Sequence, residues 1–274
     1  PGLYRLMNYG GGLTNNGLAF GSVPGSAADL HLQTSVAQQV NLVNRAGLSL
    51  NFWDGGSAGS INNNAVDGGA GVMRMGSTDD RWTDASGAMN AAWTPNGFAI
   101  FQGAAGTVTV SNSNGAVTFG GAQFAVDGYT IAGDALTTDN ANTVVRVGDG
   151  TAAGAFYTAR VDAAIGGSGA LVKEDLGTLV LAGANSYTGG TRLAGGTLMA
   201  NNDTALGSGV LTIQGGTLGS QASAQLANNI VVAGDFALAA SPTLVLSGDV
   251  ALASSAHVTQ TTVGTVEFGG AIRS

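Results

Sequence analysis

Along most of this chain apolar and polar residues alternate with a period of two, the pattern of a strand that buries one face. The alternation is clear at Leu48-Ser49-Leu50-Asn51-Phe52, at Val108/Val110, Val117/Phe119 and Phe124/Val126. It returns at Gly209–Ile213, Asn229–Val232, Thr243–Leu246 and Thr265–Phe268. Asp, Asn and Gly neighbours at 114–115, 127–128, 133–134 and 148–150 interrupt the runs and predict corners. No proline falls inside these strands, and Pro242 stands just before one. In residues 27–46, Val36, Val40 and Val43 have helical spacing, but Leu30/Leu32 and Val40/Leu42 alternate, so strands are favoured. Over residues 54–93 the pattern loosens into looser coils or a loop. Trp53, Trp82 and Trp93 lie at its edges or inside it and are expected to act as large aromatic plugs.

One stretch organises the rest. Residues 169–198 read as two short strands joined by the turn cluster Asn185-Ser186-Tyr187-Thr188-Gly189-Gly190, then a third strand. Gly-Thr-Leu stands at 177–179, 196–198 and 216–218, in steps of 19 and 20 residues. A repeat of that length with one strand per step is the mark of a solenoid. A single coil buries too little apolar area to offset its ordering entropy, whereas stacked coils pair their backbones with the neighbours above and below. The whole chain then predicts about 11 to 14 coils and a rod of roughly 50–65 Å, at about 4.8 Å per coil. Leu179, Leu181, Leu198 and Ile213 should face its core.

The same residues carry a family resemblance. Leu171-Val172-Lys173, the run from Leu176 to Thr191, and Ala194-Gly195-Gly196-Thr197-Leu198 resemble the autotransporter-associated β-strand repeat of bacterial type V passenger regions. Glu174-Asp175 departs from it, standing where that family more often has a small or polar pair. Weaker likeness lies in Trp82 through Trp93, in Gly106–Val110 and in Phe124–Tyr129. The resemblance implies an all-β chain folded as a single right-handed parallel β-helix over 1–274, exported through the outer membrane. It implies a structural and adhesive stalk at the cell surface or secreted. The implied partners are the C-terminal β-barrel of its own full-length chain and, beyond that, a host surface or further copies of itself. Two other readings stand beside it: a glycan-active β-helix enzyme, or a spacer for a catalytic domain upstream.

Composition narrows the chemistry. Glycine makes 46 of 274 residues and only 9% are charged, yet 44% are hydrophobic, so the chain folds through many tight turns rather than staying disordered. Cysteine is absent, which removes disulfides, thiolate metal sites and cysteine nucleophiles. A net charge of −8 with a single lysine, Lys173, argues against nucleic acid as a partner. No run of 18 apolar residues occurs. The start at Pro1 suggests an excised fragment, expected to lack a capping unit at either end.

No nucleophile elbow, zinc-protease or phosphate-loop motif occurs, and His31 and His257 lie outside any metal-ligand spacing. At Gly55–Ile61 a calcium β-roll would need a carboxylate where Ser60 stands. The one acidic cluster with catalytic potential is Asp79, Asp80 and Asp84 with Arg74 and Arg81, a set that β-helical glycan lyases and hydrolases could use. A solvated loop is the simpler reading of it. Most aspartates adjoin Gly or Asn, where they serve turns. The sequence therefore predicts no catalytic, cofactor-binding or metal site, no cofactor, and no enzyme.

Overall fold

The repeat folds by stacking. In the computed structural model, which describes residues 1–23, 26–56, 58–76 and 80–274, Thr178 pairs with Thr197 and Thr197 with Thr217. The three Gly-Thr-Leu copies thus lie in one column. Leu179, Leu198 and Leu218 form the column beside it and are fully buried, as are Leu181 and Ile213. All pairings from Phe98 onward are parallel. The chain is all β, with three short 3-10 turns and no α-helix among the described residues.

Two long sheets form the walls, one of twelve strands and one of nine, and two short three-stranded sheets line a third side. One outward column of the twelve-stranded sheet runs through Phe98, Gly121, Val144, Val172, Arg192, Thr212, Val231, Ala251 and Arg273. The longest of these steps, from Val144 to Val172, makes room for the 3-10 turn Ala152–Phe156. The inward apolar strand positions feed one continuous core from Trp53 to Val250. Each buried Leu, Ile or Val there contributes about 1.5–3 kcal/mol by leaving water.

The N-terminal part departs from coils. Strands β1 (Gly2–Asn8), β2 (Leu30–Gln33) and β3 (Gln39–Asn44) form an antiparallel sheet of order β1-β3-β2. Residues 30–33 and 39–44 are strands, joined by a turn with no helix between them. This sheet lies on the outer flank of the solenoid. Leu3, Val36 and Val43 pack there on Phe52, Phe98 and Ile100, making a second core outside the first. The solenoid begins with β4 (Leu50–Trp53) and β5 (Gly71–Arg74). Leu50 pairs with Phe98, so this first turn is far wider than those that follow. The coil count is therefore corrected: the stack makes about eight turns rather than 11 to 14, a rod of about 40 Å. A period-two pattern cannot distinguish a stacked coil from an antiparallel meander, which is why the first part of the chain was over-counted.

The expectation of two uncapped ends is corrected at one of them. Strand β6 (Trp82–Thr83) pairs antiparallel with β4, and β7 (Asn90–Ala91) pairs with β6, which closes that end of the twelve-stranded sheet. Trp82 sits between Trp53 and Trp93, with ring centroids 5.0 and 4.5 Å away, and Phe101 lies 5.8 Å off. The indoles of Trp53 and Trp93 donate to Gly69 O and Thr118 O at 2.8 Å. The tryptophans thus plug the mouth of the core, as the loosened pattern around them suggested.

At the opposite end no antiparallel strand crosses the stack among the described residues. Val258–Gln260, Thr265–Phe268 and Ile272–Arg273 are the last strands of their sheets, and Val258, Val263, Phe268 and Ile272 are exposed. Amide exchange should follow this asymmetry. In a sample of residues 1–274, protection is expected to be high over about 170–215 and to fall across 250–274, where the last strands pair on one side only. Uniform protection to Ser274 in a monomeric sample would contradict it.

Candidate functional site

The buried polar side chains of the repeat gather at coil corners, where several join one coil to the next. Asn185 Nδ2 donates to Ala205 O at 2.6 Å while its Oδ1 accepts from Ile165 N at 2.7 Å, so one buried carboxamide joins three successive coils. Thr191 Oγ1 donates to Leu206 O at 3.1 Å, which leaves the Tyr187 hydroxyl, 2.6 Å away, as the donor to Thr191. Burial pushes the Tyr187 hydroxyl well above its ordinary pKa.

Lys173 stands where a hydrophobe would be expected. Its column neighbours are Val145 and Leu193, both core residues, so its stem enters the core. Its ammonium reaches the corner, where Nζ donates to Glu174 O at 2.6 Å, Asp175 O at 2.9 Å and Gly195 O at 3.2 Å. The first two bonds fix its own corner, with Asp175 at φ 62°, and the third ties it to the next coil. Burial pulls its pKa down to about 7, against the raising pull of the Asp175 and Glu174 carboxylates.

A pH dependence follows. The folded pKa lies below the unfolded one, so between them the unfolded chain holds more protons and stability must rise with pH. Denaturant unfolding from pH 7 to 9.5 should show a slope of up to about 1.4 kcal/mol per pH unit, flattened in Lys173→Met. Above that range the buried tyrosines act in the opposite direction. A slope unchanged by the substitution would contradict the burial of Lys173.

The aspartates serve the stack too. Asp127 accepts from Thr158 N at 2.7 Å, Asp139 from Ser168 N at 3.1 Å and Asp203 from Gln225 N at 2.8 Å. Asp235 accepts from His257 N at 2.8 Å and Asp249 from Ala271 N at 3.0 Å. In each case a corner carboxylate of one coil receives an amide of the next.

Among the described residues of the acidic cluster, the side chains take separate partners. Asp79 lies outside the described residues. Asp80 is exposed. Asp84 turns back on Ser86, accepting from its N at 2.8 Å and its Oγ at 2.5 Å. Arg81 donates to Gly56 O at 2.7 Å. Arg74 belongs to the nine-stranded sheet, whereas Asp84 follows β6 of the twelve-stranded one. His31, in β2 of the flanking sheet, and His257, beside the last strand of the nine-stranded sheet, are both exposed. Among the described residues no three His, Cys, Asp or Glu side chains gather as a metal site.

Sequence reasoning passed over Asp54, a lone carboxylate beside Trp53. It is fully buried and accepts from Asp67 N and Asn90 Nδ2, both at 2.9 Å. Burial raises its pKa, the two hydrogen bonds opposing. It pins the wide first turn to the β7 strand. Gln123 and Arg146 were also missed, because both are single polar residues inside apolar strands, and both hold the N-terminal sheet. The structure therefore contains a built stack and a built docking of that sheet, with no convergent reactive groups among the described residues.

Comparison with known proteins gives two matches. Residues 171–200 match the passenger-associated transport repeat. The adhesin BmaC autotransporter of Brucella suis biovar 1 (strain 1330) is 45% identical over 240 residues, covering 85% of this chain. The chain spans only 7% of that relative's length. No solved structure matches it.

Proposed function

This chain belongs to the autotransporter passengers, and on that premise we propose that it is a structural and adhesive stalk segment displayed on, or released from, the bacterial surface. In this reading the full-length protein supplies a C-terminal β-barrel through which the passenger crosses the outer membrane. The single observation that supports the stalk most directly is the parallel stack itself. Strand pairing from Phe98 to Arg273 is continuous, with one shared core and side chains committed to coil-to-coil bonds. Such an object gains length and rigidity coil by coil and needs no reactive pocket. Adhesion rests on the likeness to an adhesin and would involve the outward faces. The absence of cysteine suits a chain that folds only after export.

Two measurements test it. Bacteria displaying the chain on a heterologous translocator should bind host-cell monolayers more than bacteria displaying an unrelated solenoid of equal length. Equal binding would remove the adhesive part and leave the stalk. The glycan-active reading is tested directly on purified protein. No turnover is expected across a panel of acidic and neutral polysaccharides. Turnover that disappears in Asp80→Asn would establish an enzyme instead.

A further inference from the structure

We propose that the outer flank at Gln123, Arg146 and Asp149 is a receptor site for an extended peptide strand, filled here by β1, and that the same segment of a second copy can replace it. The site reads main chain. Gln123 Oε1 accepts from Leu3 N at 2.6 Å, and its Nε2 donates to Leu3 O at 2.7 Å and to Gly148 O at 2.8 Å. Arg146 Nη1 donates to Pro1 O at 2.7 Å, and Arg5 N donates to Asp149 O at 2.7 Å. The contacted residues are 1, 3 and 5, the period of an extended strand. A carboxamide offers the same donor and acceptor as a peptide unit, so Gln123 imitates one residue of a missing neighbour strand. The other edge of β1 pairs with β3.

The site is rigid before the strand arrives. Gln123 and Arg146 rise from adjacent, paired strands of the stack, Gly121–Phe124 and Thr143–Val147. Asp175 clamps Arg146 from the repeat, at 3.0 Å from Nε and 3.2 Å from Nη2. Side chains then select the sequence. Gly2 holds φ 129°, a backbone conformation that L side chains adopt only under strain, and an added Cβ would push Arg146 Nη1, 2.1 Å away, and Gln123 Oε1, 2.5 Å away, off their hydrogen bonds, so the site favours glycine. Leu3 is fully buried in the outer core. Tyr4 lies under the Arg146 guanidinium, 4.6 Å from its ring centroid, and Arg5 reaches the Asp149 carboxylate at 3.5 Å. The pattern recognised is glycine, apolar, aromatic, basic.

The tether makes exchange cheap. The chain is exposed from Gly10 to Ala19 and forms no strand there. Long flexible connections add little closure cost, and swapping an identical element is a low-cost route to a dimer. The occupant is thus a second copy's Pro1–Asn8, presented on an equally long arm.

The test uses the full chain with a protease site inserted between Thr14 and Asn15, cleaved after folding. A labelled peptide of residues 1–8, PGLYRLMN, should replace the nicked strand with saturable anisotropy. The Gly2→Val peptide should bind at least about 10-fold more weakly, because its Cβ overpacks the site. The Gln123→Ala host, with an unchanged melting curve of the stack, should lose binding likewise. The uncut chain, refolded at high concentration, should yield a dimer that mixes two differently labelled pools. No saturable binding, or equal binding of both peptides, would overturn the receptor. A chain that stays monomeric after concentrated refolding would overturn the second copy as occupant.

Discussion

Replacing Leu179 by aspartate should lower the midpoint of thermal unfolding by about 10 °C or more. Leu179 is fully buried between Ala159 of the coil before and Leu198 of the coil after. The carboxylate would face stacked methyl groups with no donor in reach, since the polar atoms of the repeat are already engaged at the corners. Losing the leucine costs about 2–5 kcal/mol, and the uncompensated polar group adds more. At about 2–4 °C per kcal/mol for a chain of this size class, the shift is large. Thr178→Asp, one residue away on the outward face, is the control and should change the midpoint by no more than a degree or two. Similar midpoints for the two variants would mean that the inward and outward faces of this strand have been exchanged.

Trp82→Ala should cost about 3–5 kcal/mol, and the damage should be confined to one end. The indole is the middle member of the aromatic plug, touching Trp53, Trp93 and Phe101. Its removal leaves a cavity that those three rings cannot close, because the Trp53 and Trp93 indoles are held to Gly69 and Thr118 by hydrogen bonds. In a solenoid each coil contacts only its neighbours, so distant coils keep their interfaces. Amide exchange should therefore accelerate in β4, β6 and Phe98–Phe101 while protection over about 170–215 is retained. Loss of protection along the whole stack would show that the solenoid unfolds as one cooperative unit.

The parts of this fold that sequence made visible are those where neighbouring coils impose the same demand on the same position. Gly-Thr-Leu recurs because the threonines stack on threonines and the leucines on leucines, and a column written three times is hard to miss. Where a role is filled once, no pattern announces it. Lys173 occupies a core column between Val145 and Leu193, and nothing in its letter tells an inward cation from an outward one. Gln123 sits in Gly121–Phe124, where a polar residue between hydrophobes reads as solvent-facing. It is buried because a strand from 120 residues earlier covers it. The aspartates were correctly attached to corners, but their acceptance of the following coil's amides depends on coil spacing rather than on local turn chemistry. The acidic cluster was the opposite case: close in sequence, its Arg74 belongs to the nine-stranded sheet while Asp80, Arg81 and Asp84 flank β6 of the twelve-stranded one.

The nearly constant coil length has a mechanical meaning. From Val172 the outward column advances through Arg192, Thr212, Val231 and Ala251, and each coil is joined to the next by the same few backbone ladders and one or two corner clasps. A load applied along the chain from the Arg273 side meets these joints one at a time. Every failure releases one coil, about 65 Å of slack at roughly 3.3 Å per residue, and then presents the load with an almost identical joint. The rod would yield at a nearly steady force and lengthen by regular increments, like a ratchet strap paying out one tooth at a time. The longer turn carrying Ala152–Phe156 would give a larger increment, and the tryptophan-plugged mouth, with its cross-packed sheet, would be the last to part.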